Sequence, residues 1–273
     1  MAGAGMSVDG GIPDFVDIKK ALPEVSFLGL GVRELSNSEL FLKNPQFAWG
    51  IFGKRMRDYR RCSPHVGYTY LLNWCKTKSL SFVYTSNIDR HFLRAGFSPG
   101  SVVECHRSLY ELQCAVPCCD EVWDGSDVEV EFDERTLHAV GKLPRCPSCG
   151  GVARPCTQLA RDSRWLNRLS QQREREMDQS LTNLDQSRSI VVVEIGCGVQ
   201  MPKVRNKSEW LVSSLRRARH ETVFVRVNPL TDHLRMPVPR HPDDIALGMK
   251  ALDALRGMDV IVSSCDHSQY DSA

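Results

Sequence analysis

The chain reads as an α/β protein built on a parallel sheet with helices on both faces, carrying a small metal-stapled insert. Three observations predict this. Short apolar runs alternate with helical stretches over most of the sequence. Those runs, such as Ile190-Val191-Val192-Val193, are apolar throughout, as strands covered on both faces are. Between Cys114 and Cys149 the texture changes to cysteine, proline and acidic residues, including Glu129, Glu131, Asp133 and Glu134.

The elements follow in order. Gly3 to Gly11 forms a glycine-rich turn. A helical stretch covers roughly residues 38–61, with Leu40, Phe41, Phe47, Trp49, Ile51, Phe52 and Met56 on a partly helical spacing and Pro45 interrupting it. A second helix, about 66–78, presents Tyr70, Leu71, Trp74 and Cys75. Residues 81–85 and 101–104 read as strands. Residues 161–186 are strongly polar and are expected to form an exposed helix or a lid. Strands are expected at 190–195 and 222–227, with an amphipathic helix at 208–219 carrying Trp210, Leu211 and Leu215. A helix at 243–255 and a short strand at 259–262 complete the pattern. Ligands on such sheets sit at the carboxyl ends of the strands.

Composition narrows the functional classes. Hydrophobic residues make up 42% and charged residues 25%, which excludes disorder throughout. Lys and Arg total 35 against 33 Asp and Glu, so bulk charge gives no support for a nucleic-acid binder, and direct nucleic-acid binding is not expected. No apolar run approaches the roughly 18 residues that span a bilayer, so no membrane association is expected. No signal peptide opens the chain, and an intracellular location, cytoplasm or nucleus, is expected. The 11 cysteines, an odd number, are then metal ligands or buried thiols rather than a disulfide framework.

Cysteine spacing is the strongest local signal. Cys114-x3-Cys118 and Cys146-x2-Cys149 form two close pairs, with Pro147 and Gly150-Gly151 supplying turns around the second. Zinc takes four soft ligands in a tetrahedron, and two such pairs provide them; Cys119 could replace Cys118. A closed four-sulfur site is structural. Gly3-Ala4-Gly5 through Gly10-Gly11-Ile12-Pro13-Asp14-Phe15 could bring backbone N–H groups onto a phosphate. Thr85-Ser86-Asn87-Ile88-Asp89 follows a strand: Asn87 can hold a sugar hydroxyl or a water, and Asp89 can accept from an amide. His106, after the next strand, can act as a general base near neutral pH.

In this order the motifs resemble those of the sirtuins, the NAD-dependent protein deacylases. Gly3 to Phe15, Thr85 to Asp89, His106, the four cysteines, Gly196-Cys197-Gly198 and Asn228 are collinear with that family's pattern and span essentially the whole chain. The resemblance implies a Rossmann-like NAD-binding domain at 1–112 and 153–273, with a helical module inserted at about 20–62 and a zinc-binding module at 113–152. It implies that Gly3, Ala4, Gly5, Asp14 and Phe15 line the cofactor pocket. Ser86, Asn87 and Asp89 would face the nicotinamide ribose and carboxamide, and Gly196, Cys197 and Asn228 the adenosine half. His106 would be the catalytic base, with Asn87 beside it. The implied activity is lysine deacylation that releases nicotinamide and acyl-ADP-ribose, on an acyl-lysine protein substrate, histones among the candidates. ADP-ribosyl transfer, NAD hydrolysis, or NAD binding without turnover are the alternatives on the same fold.

Four departures from the family pattern bear on that activity. Val16 stands where a cation is usual. Arg107 stands where a glycine follows the catalytic His, so a left-handed backbone there would be strained. Residues 156–162, Cys-Thr-Gln-Leu-Ala-Arg-Asp, lack the aromatic and the glycine usual in a stretch that serves the acyl-lysine site. Only Met1-Ala2 precede the glycine loop, so either the chain is a fragment or the sheet lacks its usual first strand.

Overall fold

The computed structural model describes residues 1–14, 22–23, 29–237 and 240–268, with backbone alone at 32 and 265–268. The chain runs through helices α1 (Gly5–Val8), α2 (Val32–Leu35), α3 (Leu40–Lys43), α4 (Pro45–Arg61) and α5 (Val66–Lys76). Strand β1 (Val83–Thr85), helix α6 (His91–Arg94) and strands β2 (Val102–Glu104), β3 (Glu111–Cys114), β4 (Val122–Asp124) and β5 (Ala153–Pro155) follow. Helix α7 (Arg168–Thr182), strand β6 (Ile190–Ile195), helix α8 (Lys203–Arg217), strands β7 (Thr222–Val227) and β8 (Ile245–Leu247), and helix α9 (Ala251–Ser268) complete it.

Local chemistry explains the helix starts. Pro45 does not interrupt one helix but opens another. Asn44 caps α4 by accepting from the Phe47 N–H at 3.2 Å, and Pro45 takes the first turn, where its missing N–H costs nothing. His65 caps α5 through Nδ1, which accepts from the Gly67 N–H at 3.1 Å.

The main sheet is parallel. β1 pairs with β2, and β6 with β7 and then β8. The gap between β1 and β6 is filled by the first residues: Ala2 bridges Thr85 on one side and Ile195 on the other. The Ala2 N–H donates to Tyr84 O at 2.9 Å, and the Gly3 N–H to Ile195 O at 2.9 Å. The central strand position is therefore occupied by Met1 to Gly3, so the sheet is not vacant there. Both neighbouring strands supply hydrogen-bonding partners to these backbone groups.

Side chains alternate across the sheet and both faces are covered. Val192 and Phe224 meet Leu211, Val212 and Leu215 of α8 on one face. Ile195, Val225 and Val227 meet Tyr68 of α5 and Ala251, Ala254 and Leu255 of α9 on the other. Glu194 and Arg226, in register on β6 and β7, pair beneath α8, with Arg226 Nε 2.6 Å from Glu194 Oε1 and both side chains buried. Helix α7 is the exposed helix expected there, and it rests on the sheet through Met177, buried among Tyr84, Val103 and Cys105.

The C-terminal expectations are corrected. Residues 245–247 are a strand, not helix, because Val225 to Val227 offers an open edge for parallel pairing. Residues 259–262 are helical within α9, not a strand. Helix α9 continues through them from Ala251, with Trp74 Nε1 donating to Asp259 Oδ1 at 2.8 Å to fasten it to α5, while Val260, Ile261 and Val262 stay exposed.

The helical segment and the cysteine-rich segment share one core. Phe41, Trp49, Ile51, Phe52 and Met56 pack with Leu109, Leu112, Leu137 and Leu143. Trp49 Nε1 donates to Ala153 O at 2.8 Å, and the Ala139 N–H donates to Gln46 O at 2.8 Å. Gly50 permits this contact, since a Cβ there would lie 1.8 Å from Leu137 O. Gly50→Ala is expected to pry the two segments apart and to cost about 1–3 kcal/mol, as overpacking does, read from urea denaturation. Arg226→Leu leaves Glu194 buried without its partner and is expected to cost about 3–5 kcal/mol, with much of the loss recovered in Arg226→Leu/Glu194→Leu.

Candidate functional site

The carboxyl ends of Ala2, β1, β6, β7 and β8 meet at one edge. There the glycine loop and the turn after β6 touch backbone to backbone. Gly196 has φ +64°, and a Cβ on it would lie 2.5 Å from Gly5 Cα. A Cβ on Gly3 would lie 2.6 Å from Gly196 O. The Gly5 N–H donates to Gly196 O at 3.1 Å. Cys197 is buried, and burial pushes its thiol well above the ordinary range, so it stays neutral. Asn228 Nδ2 donates to Cys197 O at 3.2 Å, while its Oδ1 accepts from the Leu230 N–H at 3.0 Å. Asn228 thus shapes the turn that carries Gly196 and Cys197. Asp14 is exposed, and Phe15 and Val16 lie outside the described residues.

Beside this floor, the residues after β1 converge on a side chain that sequence reasoning passed over. Ser7 Oγ donates to Asp89 Oδ2 at 2.6 Å and accepts from Asn87 Nδ2 at 3.0 Å. Tyr68 Oη lies 2.9 Å from the same Oγ. Asp89 Oδ1 accepts from the His91 N–H at 2.8 Å, and Thr85 Oγ1 accepts from the Asn87 N–H at 3.0 Å. Asn87 and Asp89 are buried and Ser86 is half-buried at the rim. Ser7 stands within the quoted glycine motif; Tyr68 carries no local signal, because only the packing of α5 brings it here.

His106 follows β2 on the adjoining strand. Its backbone carbonyl accepts from the Gln158 N–H at 3.1 Å. Burial, and then the Lys203 ammonium, lower its imidazole to about 4, so it is neutral at pH 7. Lys203, at the start of α8, donates to Cys105 O at 3.0 Å and Gln158 Oε1 at 3.3 Å. Arg107 does take the left-handed backbone, at φ +56°. Such strain costs on the order of 1–2 kcal/mol. A two-pronged pair with Glu111 offsets it: Nε to Oε2 at 2.9 Å and Nη2 to Oε1 at 2.8 Å.

Residues 156–162 form a strap from His106 to the helical segment. The Cys156 N–H donates to Glu111 O at 2.6 Å and the Ala160 N–H to Ser36 O at 2.8 Å. Asp162 and Arg154, both fully buried, form an ion pair at 2.7 Å. A cavity of about 240 Å³ is bordered by Arg107, Asp120, Leu166 and Leu169, and by none of Asn87, Asp89 or His106. Its position argues against it as the reaction site.

The four predicted cysteines do meet. The Sγ atoms of Cys114, Cys118, Cys146 and Cys149 lie within 4.8 Å of one another. Cys114 to Cys149 is 3.7 Å and Cys118 to Cys146 is 3.6 Å. A zinc–sulfur bond of about 2.3 Å in a tetrahedron sets sulfur atoms about 3.8 Å apart, so this donor set fits zinc with no open position. Cys119 Sγ lies 3.7 Å from Cys118 Sγ, and equally near Glu121 and Ser148, but is not among the four mutually close sulfurs, so the cluster takes Cys118. Zinc content measured by atomic absorption, with melting temperature alongside, checks this. Cys118→Ser is expected to lose the metal and melt lower, and Cys119→Ser to keep both near wild type.

Comparison with known proteins matches these features. The model of the Sir2 family matches residues 3–180. A protein named NAD-dependent protein deacylase from Mycobacterium tuberculosis (strain ATCC 25618 / H37Rv) is 31% identical over 158 residues, 57% of this chain and 60% of that one. One named NAD-dependent protein deacetylase from Saccharolobus solfataricus is 30% identical over 153 residues, 56% of each chain. The chain therefore spans at most about three-fifths of these relatives in alignment. Among solved structures, a Sir2 homologue in complex with NAD aligns with a TM-score of 0.65 at 19% identity, covering 97% of this chain and 88% of that one. A Sir2 homologue variant in complex with 2′-O-acetyl ADP ribose aligns with a TM-score of 0.67 at 20% identity, covering 97% and 90%. With the sheet, the cysteine cluster and the family model in agreement, the chain belongs to the Sir2 family.

Proposed function

We propose that the chain is an NAD-dependent protein-lysine deacylase acting inside the cell on acyl-lysine side chains. One observation carries the reading: Asn87, Asp89 and a neutral His106 stand at the carboxyl edge beside the Gly3–Gly5 and Gly196 floor. The residues suit NAD. Among the described residues nothing bonds to Asn87 Oδ1, so it offers an acceptor to a ribose hydroxyl. Asp89 retains lone pairs for an amide N–H. The turn built by Gly196, Cys197 and Asn228, held by its own hydrogen bonds, lies where the adenosine half would rest. Bound NAD would supply an electrophilic ribose carbon once nicotinamide departs. His106, held neutral, accepts the proton of a ribose hydroxyl, and the surrounding burial excludes water that would otherwise take the acyl-lysine oxygen's place.

The strap supports a second reading. Its backbone bond from Ala160 to Ser36 ties it to the helical segment, and its sequence lacks the aromatic and glycine that the resemblance places at the acyl-lysine site. NAD cleavage without peptide capture, as ADP-ribosyl transfer or NAD hydrolysis, follows if that bond holds.

Incubation with NAD and an acetyl-lysine peptide, read by mass spectrometry, separates the readings. Nicotinamide together with acyl-ADP-ribose, both lost in His106→Ala, is the expected result. Nicotinamide without deacylation moves the activity to the second reading. Absence of turnover from folded, zinc-loaded protein leaves NAD binding alone. The pH profile adds a check. With His106 lowered to about 4, activity is expected to persist below the ordinary imidazole range and fall only as His106 protonates. Lys203→Gln removes a neighbouring positive charge, favours the imidazolium, and is expected to move that acid limb to higher pH.

A further inference from the structure

Ser7 Oγ has one proton and two lone pairs, and three groups reach it. Asp89 Oδ2, a carboxylate oxygen at 2.6 Å, can only accept, so the Ser7 proton points there. Both lone pairs are then left for donors. Asn87 supplies an N–H from Nδ2 at 3.0 Å, and the Tyr68 hydroxyl supplies the other at 2.9 Å. Every valence of the hydroxyl is used. The direction of each bond follows: Tyr68 to Ser7, Ser7 to Asp89, Asn87 to Ser7. The last of these commits the Asn87 amide nitrogen and leaves its carbonyl oxygen without a partner among the described residues.

Ser7 needs an external anchor. It lies in α1, a helix of 4 residues whose N-cap, Ala4, makes no side-chain bond. Such a turn is not stable on its own. Helix α5 holds it from two points: His65 Nε2 lies 2.8 Å from Met6 O, and Tyr68 reaches Ser7. His65 Nδ1 accepts from Gly67, so Nε2 is the donor. Tyr68 itself is rigid. It is fully buried, with ring centroids 4.8 Å from Phe92, 4.9 Å from His65 and 5.7 Å from His91. Burial also raises its phenol well above 10, so it remains a donor throughout the working range.

We propose that Tyr68 is a positioning residue for the cofactor: through the Ser7 hydroxyl it sets Asn87 and Asp89 for the ribose and carboxamide at the nicotinamide end. This rests on the NAD reading above. Tyr68 does not touch the cofactor; it acts only through Ser7, on one end of the pocket.

Calorimetric titration of the zinc-loaded chain with NAD, ADP-ribose and ADP tests it, because ADP lacks the ribose that Asn87 would meet. Tyr68→Phe keeps the ring and its packing. It is expected to weaken NAD and ADP-ribose roughly two- to tenfold, the range of one neutral hydrogen bond, with ADP unchanged. Ser7→Ala and Ser7→Ala/Tyr68→Phe are expected to bind NAD alike, since removing Ser7 removes the route through which Tyr68 acts. Unchanged NAD affinity in Tyr68→Phe, an equal loss for ADP, or losses that add in the double variant would overturn the proposal while leaving the cofactor reading intact. A wild-type chain that binds ADP but neither NAD nor ADP-ribose, or none of the three, would overturn the cofactor reading and this role together. Melting temperature is read for each variant; should Tyr68→Phe not fold, Tyr68→Leu carries the same expected pattern.

Discussion

The close approach of Gly3 and Gly5 to Gly196 is the constraint on which the candidate site depends. A Cβ at any of the three would meet backbone at 2.5–2.7 Å, and backbone cannot swing aside as a side chain can. Because the loops touch, the Gly5 N–H reaches Gly196 O and α1 begins directly at the sheet edge. Ser7, two residues later, is thereby brought over Asn87 and Asp89. The sheet contributes the other half: Ala2 is hydrogen-bonded on both sides, so the loop leaves a position held by β1 and β6 together.

The arginine after His106 illustrates how a local cost is absorbed. Arg107 sits in a left-handed conformation that favours glycine, yet its side chain is buried against Glu111 with both prongs used. Glu111 opens β3, and Cys114, the last residue of that strand, is one of the four clustered thiols. The backbone of Glu111 also holds Cys156 at the root of the strap. A metal bound by the four sulfurs therefore stiffens the strand that fixes Arg107 on one side and the strap on the other. The four residues of β3 join the cysteine cluster to the Arg107–Glu111 pair beside His106.

The helical and cysteine-rich segments read from the sequence as two modules, yet they pack as one body around Trp49, Leu112 and Leu137. Periodicity identifies which residues seek burial, not which segment will cover them. The same limit explains the C-terminal errors. The run Ile245-Ala246-Leu247 is too short for its pattern to separate strand from helix, and the edge of β7 decides it. Asp259 to Val262 has strand-like residue types, but α9 already lies against α5 and continues through them.

By itself the sequence determined the features whose cause is local. The cysteine spacing specified a four-sulfur set, since pairs on tight turns already place two sulfurs together. Apolar runs specified β6 and β7, whereas Asn44-Pro45, read from the sequence as an interruption, opens α4. The motif residues Asn87, Asp89 and His106 were legible as chemistry, each at the end of a strand. Tertiary structure alone decided how those groups are tuned. Tyr68 reaches Ser7 across 61 positions of chain, burial and then Lys203, 97 positions away, lower His106, and Cys118 rather than Cys119 joins the sulfur cluster. Hydrogen bonds and charges act through a few ångströms of space, and only the packed fold sets which distant residues share that space.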